Sequence, residues 1–305
     1  YIAHEEVCMM DSDRAVTIRY DGSELATEPY QSYSILRGKF DKWFGKQAER
    51  KGAMIVAKSR VDDVLFENGS VVGVRVGGEE LRADVVIAAD GVLSFIAEKA
   101  GLRKPFNPNN FAVGFKEIIE LPREILEARF NLQGDEGAAR LFMGDVTKGK
   151  FGGGFLYTNK ESISLGIVVG INAMTEEGVQ VEAPLMLEEF KQRPEVARLI
   201  AGGETVEYSA HVIPEGGYHS FGKFFANGIL VAGDAAGFSM NIGVTVRGME
   251  YALASGYLAA QTVIQAKARE DYSAASLAVY EQLLKDSFVM KDFESFKESL
   301  HALEN

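Results

Sequence analysis

Residues 228–262, GILVAGDAAGFSMNIGVTVRGMEYALASGYLAAQT, begin with a short apolar run that ends at a Gly-Asp pair. The run Ile229–Ala232 is apolar throughout, which is typical of a parallel strand buried on both faces. The chain then turns at Gly233, and Asp234 follows at what would be the carboxyl end of the strand. Open α/β sheets bind their ligands at this edge, where a carboxylate can accept hydrogen bonds from ligand hydroxyl groups. The run therefore predicts one wall of a ligand site.

The second half of the same stretch predicts a helix that approaches a sheet or a ligand closely. Small and apolar side chains recur at helical spacing from Val246 to Ala260, at Met249, Ala252, Leu253, Gly256, Ala259 and Ala260. The N-terminus of such a helix favours a phosphate or another electron-rich group. An equally simple interpretation is a buried strand and helix in which Asp234 acts only as an N-cap.

Two further motifs precede this stretch. Residues 85–89, VVIAA, form a second apolar run that leads into Asp90 and Gly91. Further upstream, the segment SYSILRGKFDKWF places Arg37 just before a helix predicted to begin near Phe40. Arg37 also fits a solvated charge at a helix terminus, which needs no ligand.

The order of these three motifs resembles that of the flavoprotein oxidoreductases related to p-hydroxybenzoate hydroxylase and geranylgeranyl reductase. Longer segments are similar to the branch formed by FixC and the electron transfer flavoprotein:quinone oxidoreductases, and together they cover nearly the whole chain. The resemblance implies that FAD is the cofactor and that Asp234 binds its ribityl chain. The cofactor-binding positions that it implies are Arg37, Asp90, Gly91, Gly233, Asp234, Ala235 and Gly237.

The segment FGGGFLYTNKESISLGIVVG, residues 151–170, is similar to the quinone-site segment of this branch. The resemblance implies that Gly152 and Gly153 let a quinone head group approach backbone amides, and that Tyr157 forms part of the pocket wall. A strand that enters a sheet through a glycine bulge explains the two glycines without a ligand. Tyr157 likewise fits a core aromatic residue.

The fold class implied is a mixed α/β protein, in which a Rossmann-like FAD-binding domain carries an inserted, mostly antiparallel sheet domain. Residues 1–110 and 217–270 are expected to form the partial FAD-binding domain. Residues 111–216 are expected to form the inserted quinone or substrate domain, and residues 271–305 a C-terminal helical segment.

Hydrophobic periodicity and turn residues predict the individual elements. Helices are predicted at 40–51, 122–129, 184–193, 246–260 and 272–296, the last with Tyr280, Leu283, Leu284 and Phe288 on one face. Strands are predicted at 53–57, 60–67, 71–76, 80–82, 85–89, 111–120, 138–143, 152–157, 162–169, 205–212 and 229–232. The pair Asn68-Gly69 predicts a tight hairpin turn between two of these strands.

Composition excludes several classes of protein. The net charge of −12 argues against a nucleic-acid partner, because phosphate backbones would repel the chain on average. No apolar run approaches the ~20 residues that span a bilayer, so we expect only peripheral membrane contact. A single cysteine, Cys8, excludes an internal disulfide and a thiolate-ligated iron-sulfur cluster within this sequence.

The resemblance implies three partners: an electron transfer flavoprotein, a quinone and, as in FixC, a separate ferredoxin-like iron-sulfur subunit. It also implies a cytoplasmic location, with peripheral contact on the cytoplasmic face of the membrane as a further expectation. The reaction implied is electron transfer from the electron transfer flavoprotein through FAD to the quinone.

No Gly-x-Gly-x-x-Gly turn opens the chain, although this family holds the FAD pyrophosphate with one. We therefore expect the sequence to be a fragment of a longer protein. Two other functions fit the same motifs. One is a stand-alone NAD(P)H-dependent flavin reductase or hydroxylase of the geranylgeranyl reductase type, and the other is a non-catalytic scaffold module.

Overall fold

A computed structural model of the chain describes residues 1–22, 24–175, 182–242 and 246–299. The strands within these residues are β1 (Ile2–Met10), β2 (Ala15–Tyr20), β3 (Val61–Glu67), β4 (Ser70–Val76), β5 (Glu79–Arg82), β6 (Val86–Ala88), β7 (Phe111–Glu120), β8 (Gly137–Gly144), β9 (Gly152–Thr158), β10 (Ser162–Gly170), β11 (Glu204–Pro214), β12 (Phe225–Ala226), β13 (Ile229–Val231), β14 (Met240–Asn241) and β15 (Val246–Arg247). The α-helices are α1 (Arg37–Arg50), α2 (Phe95–Lys99), α3 (Arg123–Phe130), α4 (Ile171–Thr175), α5 (Ala183–Gln192), α6 (Pro194–Ile200), α7 (Met249–Arg269), α8 (Ala274–Leu277), α9 (Val279–Asp286) and α10 (Phe288–Ser295).

The chain divides into two compact units. Tyr1–Ile55 and Ala112–Val212 form the first, which we call the sheet unit. Val56–Phe111 and the chain from Ile213 onward form the second, which we call the Gly-Asp unit because it contains that turn. Each unit has its own hydrophobic core.

The sheet unit is built on a seven-stranded sheet in the order β11-β7-β10-β9-β8-β1-β2. Strand β10 pairs antiparallel with β7 and β9, and β9 pairs antiparallel with β8. Alternate residues of β9 and β10, such as Leu156 and Leu165, are completely buried against helices on one face. Phe142 of β8 meets Phe190 of α5 edge to face, with ring centroids 4.8 Å apart. This apolar layer holds the helices on that face of the sheet.

The first strand of the chain joins this sheet, which corrects one predicted domain boundary. Residues 1–110 were assigned to the FAD-binding domain, but β1 lies parallel to β8, with Cys8 opposite Phe142. Both side chains are buried in the same core, so residues 1–55 belong to the sheet unit. The residues that follow, 56–110, do lie in the Gly-Asp unit.

The Gly-Asp unit is organised around a small sheet in which β13 pairs with β6 and β12. β13 and β6 are parallel, with Leu230 opposite Ile87. Helix α7 packs beside the turn that follows β13, and its buried residues are Tyr251, Ser255, Ala259, Thr262 and Ala266. This face differs from the predicted one, because Leu253 is 43% exposed and a side chain at Gly256 would meet open space.

Most predicted elements are present, and the hairpin at Asn68-Gly69 is confirmed as β3–β4, with Glu67 opposite Ser70. The strand predicted at 53–57 is wrong. These residues are exposed, and no described strand pairs with them. An apolar run forms a strand only where a neighbour completes its hydrogen bonds.

The helix predicted at 272–296 is interrupted, because Ser287 caps a new helix by accepting a hydrogen bond from the Val289 amide at 3.2 Å. This break leaves Phe288 46% exposed, whereas Tyr280 and Leu284 are buried as predicted. The last residues of the predicted C-terminal segment, 300–305, lie outside the described residues. Along the parts of the chain that the structure describes, no helix combines the length and apolarity needed to cross a bilayer.

Gly228 offers a sharp test of the Gly-Asp unit. Its φ is +72°, and a Cβ there would lie 2.0 Å from the carbonyl oxygen of Val71. We expect Gly228→Ala to lower the free energy of unfolding by about 2–5 kcal/mol, because a left-handed backbone and a backbone collision both oppose a side chain. Urea unfolding measures this change. Gly256→Ala, in the open middle of α7, is the matched control and should stabilise by about 0.5–1 kcal/mol; equal effects of the two variants would contradict the structure.

Candidate functional site

The Asp-Gly and Gly-Asp motifs lie at the same edge of the small sheet. Val231 of β13 stands opposite Ala88 of β6, and the Ala232 amide donates to the Ala88 carbonyl at 2.9 Å. Because the two strands are parallel, the turns that begin at Asp90 and Gly233 leave from neighbouring carboxyl ends. This is the edge at which open α/β sheets bind ligands.

The Gly-Asp turn has a backbone that requires glycine. Gly233 has a φ of +63°, its amide donates to Ser255 Oγ at 2.9 Å, and a Cβ would lie 3.4 Å from the Cβ of Ala252. Asp234 is half-buried in the short 3-10 turn Gly233–Ala236. The residue that precedes α7 is Gly248, so Asp234 is not the N-cap of the long helix.

Asp90 has a structural role of its own. One carboxylate oxygen accepts a hydrogen bond from the Ile96 amide at 3.0 Å, and the other accepts one from Ser94 Oγ at 3.1 Å. These bonds hold the start of α2, while Gly91 supplies a φ of +82° at the turn. A flavin contact of Asp90 and Gly91 stays a prediction.

Arg37 lies at the start of α1 in the sheet unit, whereas the Gly-Asp turn belongs to the other unit. Its guanidinium is exposed and pairs with Asp41, one helical turn ahead, at 2.9 Å. This geometry supports the solvated helix-terminal charge that the sequence left open. A role of Arg37 toward the flavin stays a prediction.

A cavity of about 280 Å³ lies beside the Gly-Asp turn, within the Gly-Asp unit. Ala235, Ala236 and Gly237 form one wall. The basic side chains around it are Arg103, Lys104, His219 and Lys223. A lining that contains small residues and several basic side chains suits a ligand with negative charge, although the chain as a whole is acidic.

Arg103 is a site residue that sequence analysis missed. Its guanidinium donates to the carbonyl of Val92 and lies over the ring of Phe111, 5.2 Å from the centroid. Burial lowers the pKa of Arg103 from its usual value, while Asp90 and Glu98 act in the opposite direction. Arg103 therefore links the Asp-Gly turn electrostatically to the cavity. Nothing in the neighbouring sequence marks it, because its position depends on the tertiary fold.

Glu215 is the second missed residue. It is only 5% exposed, its carboxylate accepts a hydrogen bond from Asn241 Nδ2 at 3.2 Å, and its amide donates to the Asn110 carbonyl at 2.8 Å. Burial raises the pKa of Glu215 to about 7, with the Asn241 amide acting against the increase. The only sequence signal was its position in the turn Pro-Glu-Gly-Gly. Buried carboxyl groups that titrate near neutrality are concentrated at functional sites.

The two glycines predicted for the quinone site lie at the start of β9, and each has a structural reason to be glycine. Gly152 has a φ of +148°, and a Cβ there would lie 2.0 Å from the Val168 carbonyl oxygen. A Cβ on Gly153 would lie 2.8 Å from the Phe142 carbonyl oxygen. Close strand packing therefore explains both positions without a ligand, and their contact with quinone stays a prediction.

Gly153, Phe155 and Tyr157 alternate with the core residues of β9, so they share the opposite face of the seven-stranded sheet. Tyr157 stacks on Phe155 with ring centroids 5.1 Å apart. Burial raises the pKa of Tyr157 to about 12, so its phenol is neutral at physiological pH. Phe155 and Tyr157 therefore form a partly buried, stacked aromatic pair on the face of the sheet opposite the helical core.

The residues of the Gly-Asp unit fit the FAD that the resemblance implies. Asp234 is a carboxylate acceptor for sugar hydroxyls, and glycine at 233 keeps the turn beside it narrow. Arg103 and the lysines at 104 and 223 are donors for an anionic group. Residues 243–245 of the same stretch lie outside the described residues.

Comparison with known proteins gives matches along the whole chain. Residues 111–213 match the family model described as ETF-QO, ubiquinone-binding. The chain is 48% identical over 304 residues to the protein FixC of Salmonella typhi, which covers 100% of this chain and 70% of that relative. It is 44% identical over 304 residues to the probable electron transfer flavoprotein-quinone oxidoreductase YdiS of Escherichia coli strain K12, again covering 100% and 70%.

Solved structures share the fold at lower identity. A geranylgeranyl bacteriochlorophyll reductase-like protein from Thermoplasma acidophilum has a TM-score of 0.70 and 22% identity, covering 93% of this chain and 67% of its own. The myxobacterial chondrochloren halogenase CndH, an FAD-dependent halogenase, has a TM-score of 0.66 and 19% identity, covering 93% and 64%. These likenesses confirm the predicted mixed α/β fold class.

The buried Glu215 makes the stability of the protein depend on pH. Its folded pKa of about 7 exceeds the ordinary value of 4.5, so the neutral carboxyl stabilises the fold fully below pH 4.5. That contribution is lost as pH rises to about 7, and it amounts to about 3 kcal/mol. We expect the free energy of unfolding of the wild type, measured relative to Glu215→Gln, to fall by this amount across that interval and then level off. Parallel pH profiles of the two proteins in urea unfolding would contradict a raised pKa.

Proposed function

Because the chain belongs to the FixC and electron transfer flavoprotein:quinone oxidoreductase family, we propose that it uses FAD to pass electrons from an electron transfer flavoprotein to a quinone. The observation that carries this proposal is the pair of turns at Asp90 and Gly233, on neighbouring carboxyl ends of parallel strands, beside a cavity with a basic rim. The family match supports the reaction class, and the geometry of the two turns supports this position for the cofactor.

In this proposal the Gly-Asp unit holds the cofactor. Asp234 accepts hydrogen bonds from the ribityl hydroxyls, because its half-buried carboxylate directly follows Gly233, which has no side chain. Arg103 attracts the anionic parts of the cofactor and orients them toward the sheet edge. FAD, when bound, supplies the ability to accept two electrons together and to release them singly or in pairs.

The sheet unit supplies the quinone surface. The rings of Phe155 and Tyr157 stack on the face of β9 opposite the helical core. Gly153 lies on the same face and has no side chain. Aromatic planes of this kind suit a flat quinone ring. The match of residues 111–213 to a ubiquinone-binding family model supports this assignment.

The relay needs partners beyond this chain. Cys8 is the only cysteine in the sequence and is completely buried in the sheet unit, so it is not available to ligate a cluster shared with a partner. We propose that a ferredoxin-like iron-sulfur subunit accompanies the electron transfer flavoprotein. We also propose a cytoplasmic location with peripheral membrane contact, where a quinone would be available.

The role of Asp234 is open to a direct test. We expect Asp234→Ala to weaken FAD binding about tenfold or more, because loss of a hydrogen bond to a charged group costs roughly 1.5–3 kcal/mol. The dissociation constant of FAD, measured by flavin fluorescence, gives the result. Asp234→Asn keeps the shape of the side chain and removes its charge, so its FAD dissociation constant should lie between those of Asp234→Ala and the wild type. Unchanged affinity in a folded Asp234→Ala protein would remove Asp234 from the cofactor site.

Reconstitution tests the proposed reaction. We expect quinone reduction from purified components to require this protein with FAD and a reduced electron transfer flavoprotein, and to be enhanced by the ferredoxin-like subunit. Each component is omitted in turn while quinol formation is followed. Full turnover with NAD(P)H and quinone in the presence of this protein and FAD alone would overturn the relay and establish a stand-alone reductase. A folded protein that binds no FAD would establish a scaffold instead.

A further inference from the structure

Glu215 lies between two elements that border the candidate cofactor site. The residue before it, Pro214, and the residue that accepts its amide hydrogen, Asn110, both line the cavity beside the Gly-Asp turn. Its carboxylate is held from another direction by Asn241 of β14, the short strand that follows this turn. The carboxyl group is therefore buried next to residues that line the cavity, although it does not line the cavity itself.

The charged groups near Glu215 form ion pairs with other residues, lie at the surface or, in the case of Arg103, contact the Val92 carbonyl and the Phe111 ring. Among the described residues, Glu215 forms no salt bridge, and its carboxylate takes a hydrogen bond from the neutral amide of Asn241. The charged groups on the elements that flank it are Arg103, Lys104, His219, Lys223, Arg247 and Glu298. His219 pairs with Glu298 at 3.6 Å, and Arg247 pairs with Glu250 and Asp292.

Glu117 is another buried carboxylate, and it differs from Glu215 because a cation compensates its charge. Glu117, which is 6% exposed, pairs with Lys191 at 2.9 Å and accepts a hydrogen bond from Thr205. Such a pair offsets the cost of burying a charge, and the carboxylate can stay ionised. Glu215 lacks this compensation, so its charge state responds to small changes in the local electric field.

Electrons that arrive at a neighbouring cofactor change this field. Added negative charge destabilises a buried carboxylate and favours its neutral acid, and the effect is strong because burial weakens dielectric screening. We propose that Glu215 is a redox-linked proton site, which takes up one proton when the bound flavin is reduced and releases it when the flavin is reoxidised. This inference rests on the proposed function, since it requires a flavin at the Gly-Asp turn.

The step balances without any further reactant. On reduction, a proton from solvent forms an O–H bond with a carboxylate oxygen of Glu215, and no electron resides on the residue. Both electrons enter the flavin from the electron transfer flavoprotein and leave to the quinone. When they leave, Glu215 returns its proton, which can meet part of the demand of a quinone that gains two electrons and two protons.

A purely structural role would give a different result, because glutamine can accept the same hydrogen bond from Asn241. Glu215→Gln therefore keeps the contact and removes the titration. The test is potentiometric titration of the FAD-bound, full-chain protein from about pH 5 to about pH 9, with dye mediators instead of protein partners. Glu270→Gln is the matched control, because it makes the same chemical change at an exposed carboxyl of the same unit.

We expect the midpoint potentials of wild type and Glu215→Gln to coincide at the acidic end, where both side chains are neutral. Between the pKa of Glu215 with oxidised flavin and its pKa with reduced flavin, the wild-type potential should fall more steeply than that of the variant, by up to about 30 mV per pH unit, the value for one proton per two electrons. Asn241→Ala removes the amide that favours the carboxylate, so the pH interval of steeper slope should move to higher pH. The Glu270→Gln profile should follow the wild type.

Identical slopes in wild type and Glu215→Gln would overturn this inference and leave the proposed function intact. A protein that binds no FAD would overturn both. If Glu215→Gln does not fold, infrared difference spectra of the wild type decide the matter. Reduction should then produce the carbonyl band of a newly protonated carboxylic acid, which Asn241→Ala should displace, and its absence would reject Glu215 as the proton site.

Discussion

The parallel pairing of β13 with β6 is the interaction on which the candidate site depends. The hydrogen bond from the Ala232 amide to the Ala88 carbonyl lies at the last residues of the pair, just before both turns. The hydroxyl of Tyr280 donates to the Val231 carbonyl at 3.0 Å and fixes β13 from its other side. If this register moved by one residue, Gly233 and Asp90 would no longer leave the sheet at the same level.

The site combines two electrostatic environments that differ in their cause. Its rim is basic because Arg103 and the lysines beside it gather around the cavity. Next to its lining residues lies Glu215, whose charge is disfavoured by burial and not by a neighbouring anion. A basic rim holds a permanently charged ligand, whereas a desolvated carboxyl responds to changes of charge within it. In the proposed function, ligand binding and the response to its charge therefore depend on different residues.

Local features of the sequence predicted local features of the structure. Asn68-Gly69 forms the hairpin turn because both residues adopt positive φ values, and the apolar run at 229–231 forms a buried strand. Long-range pairing was not predictable in the same way. The parallel partner of β1 is β8, far along the chain, so the membership of residues 1–55 depended on an encounter that no local pattern encodes.

The residues of the candidate site also divide into those that local sequence predicted and those that it did not. Gly233 and Asp234 were found because the turn demands glycine and the strand before it is apolar. Arg103 and Glu215 were missed because burial gives them their chemistry, and burial is set by segments distant in sequence. The strand expected at 53–57 failed for a related reason, since hydrophobicity alone does not supply a hydrogen-bonding neighbour.

The hydrogen bond from the Glu215 amide to the Asn110 carbonyl also joins the points at which the chain leaves the Gly-Asp unit and returns to it. The segment Ala112–Val212 thus leaves the Gly-Asp unit and returns to it at adjacent backbone positions. Because residues 1–55 contribute β1 and β2 to the same sheet, this segment cannot be exchanged by itself: any replacement would have to pair with β1 as β8 does.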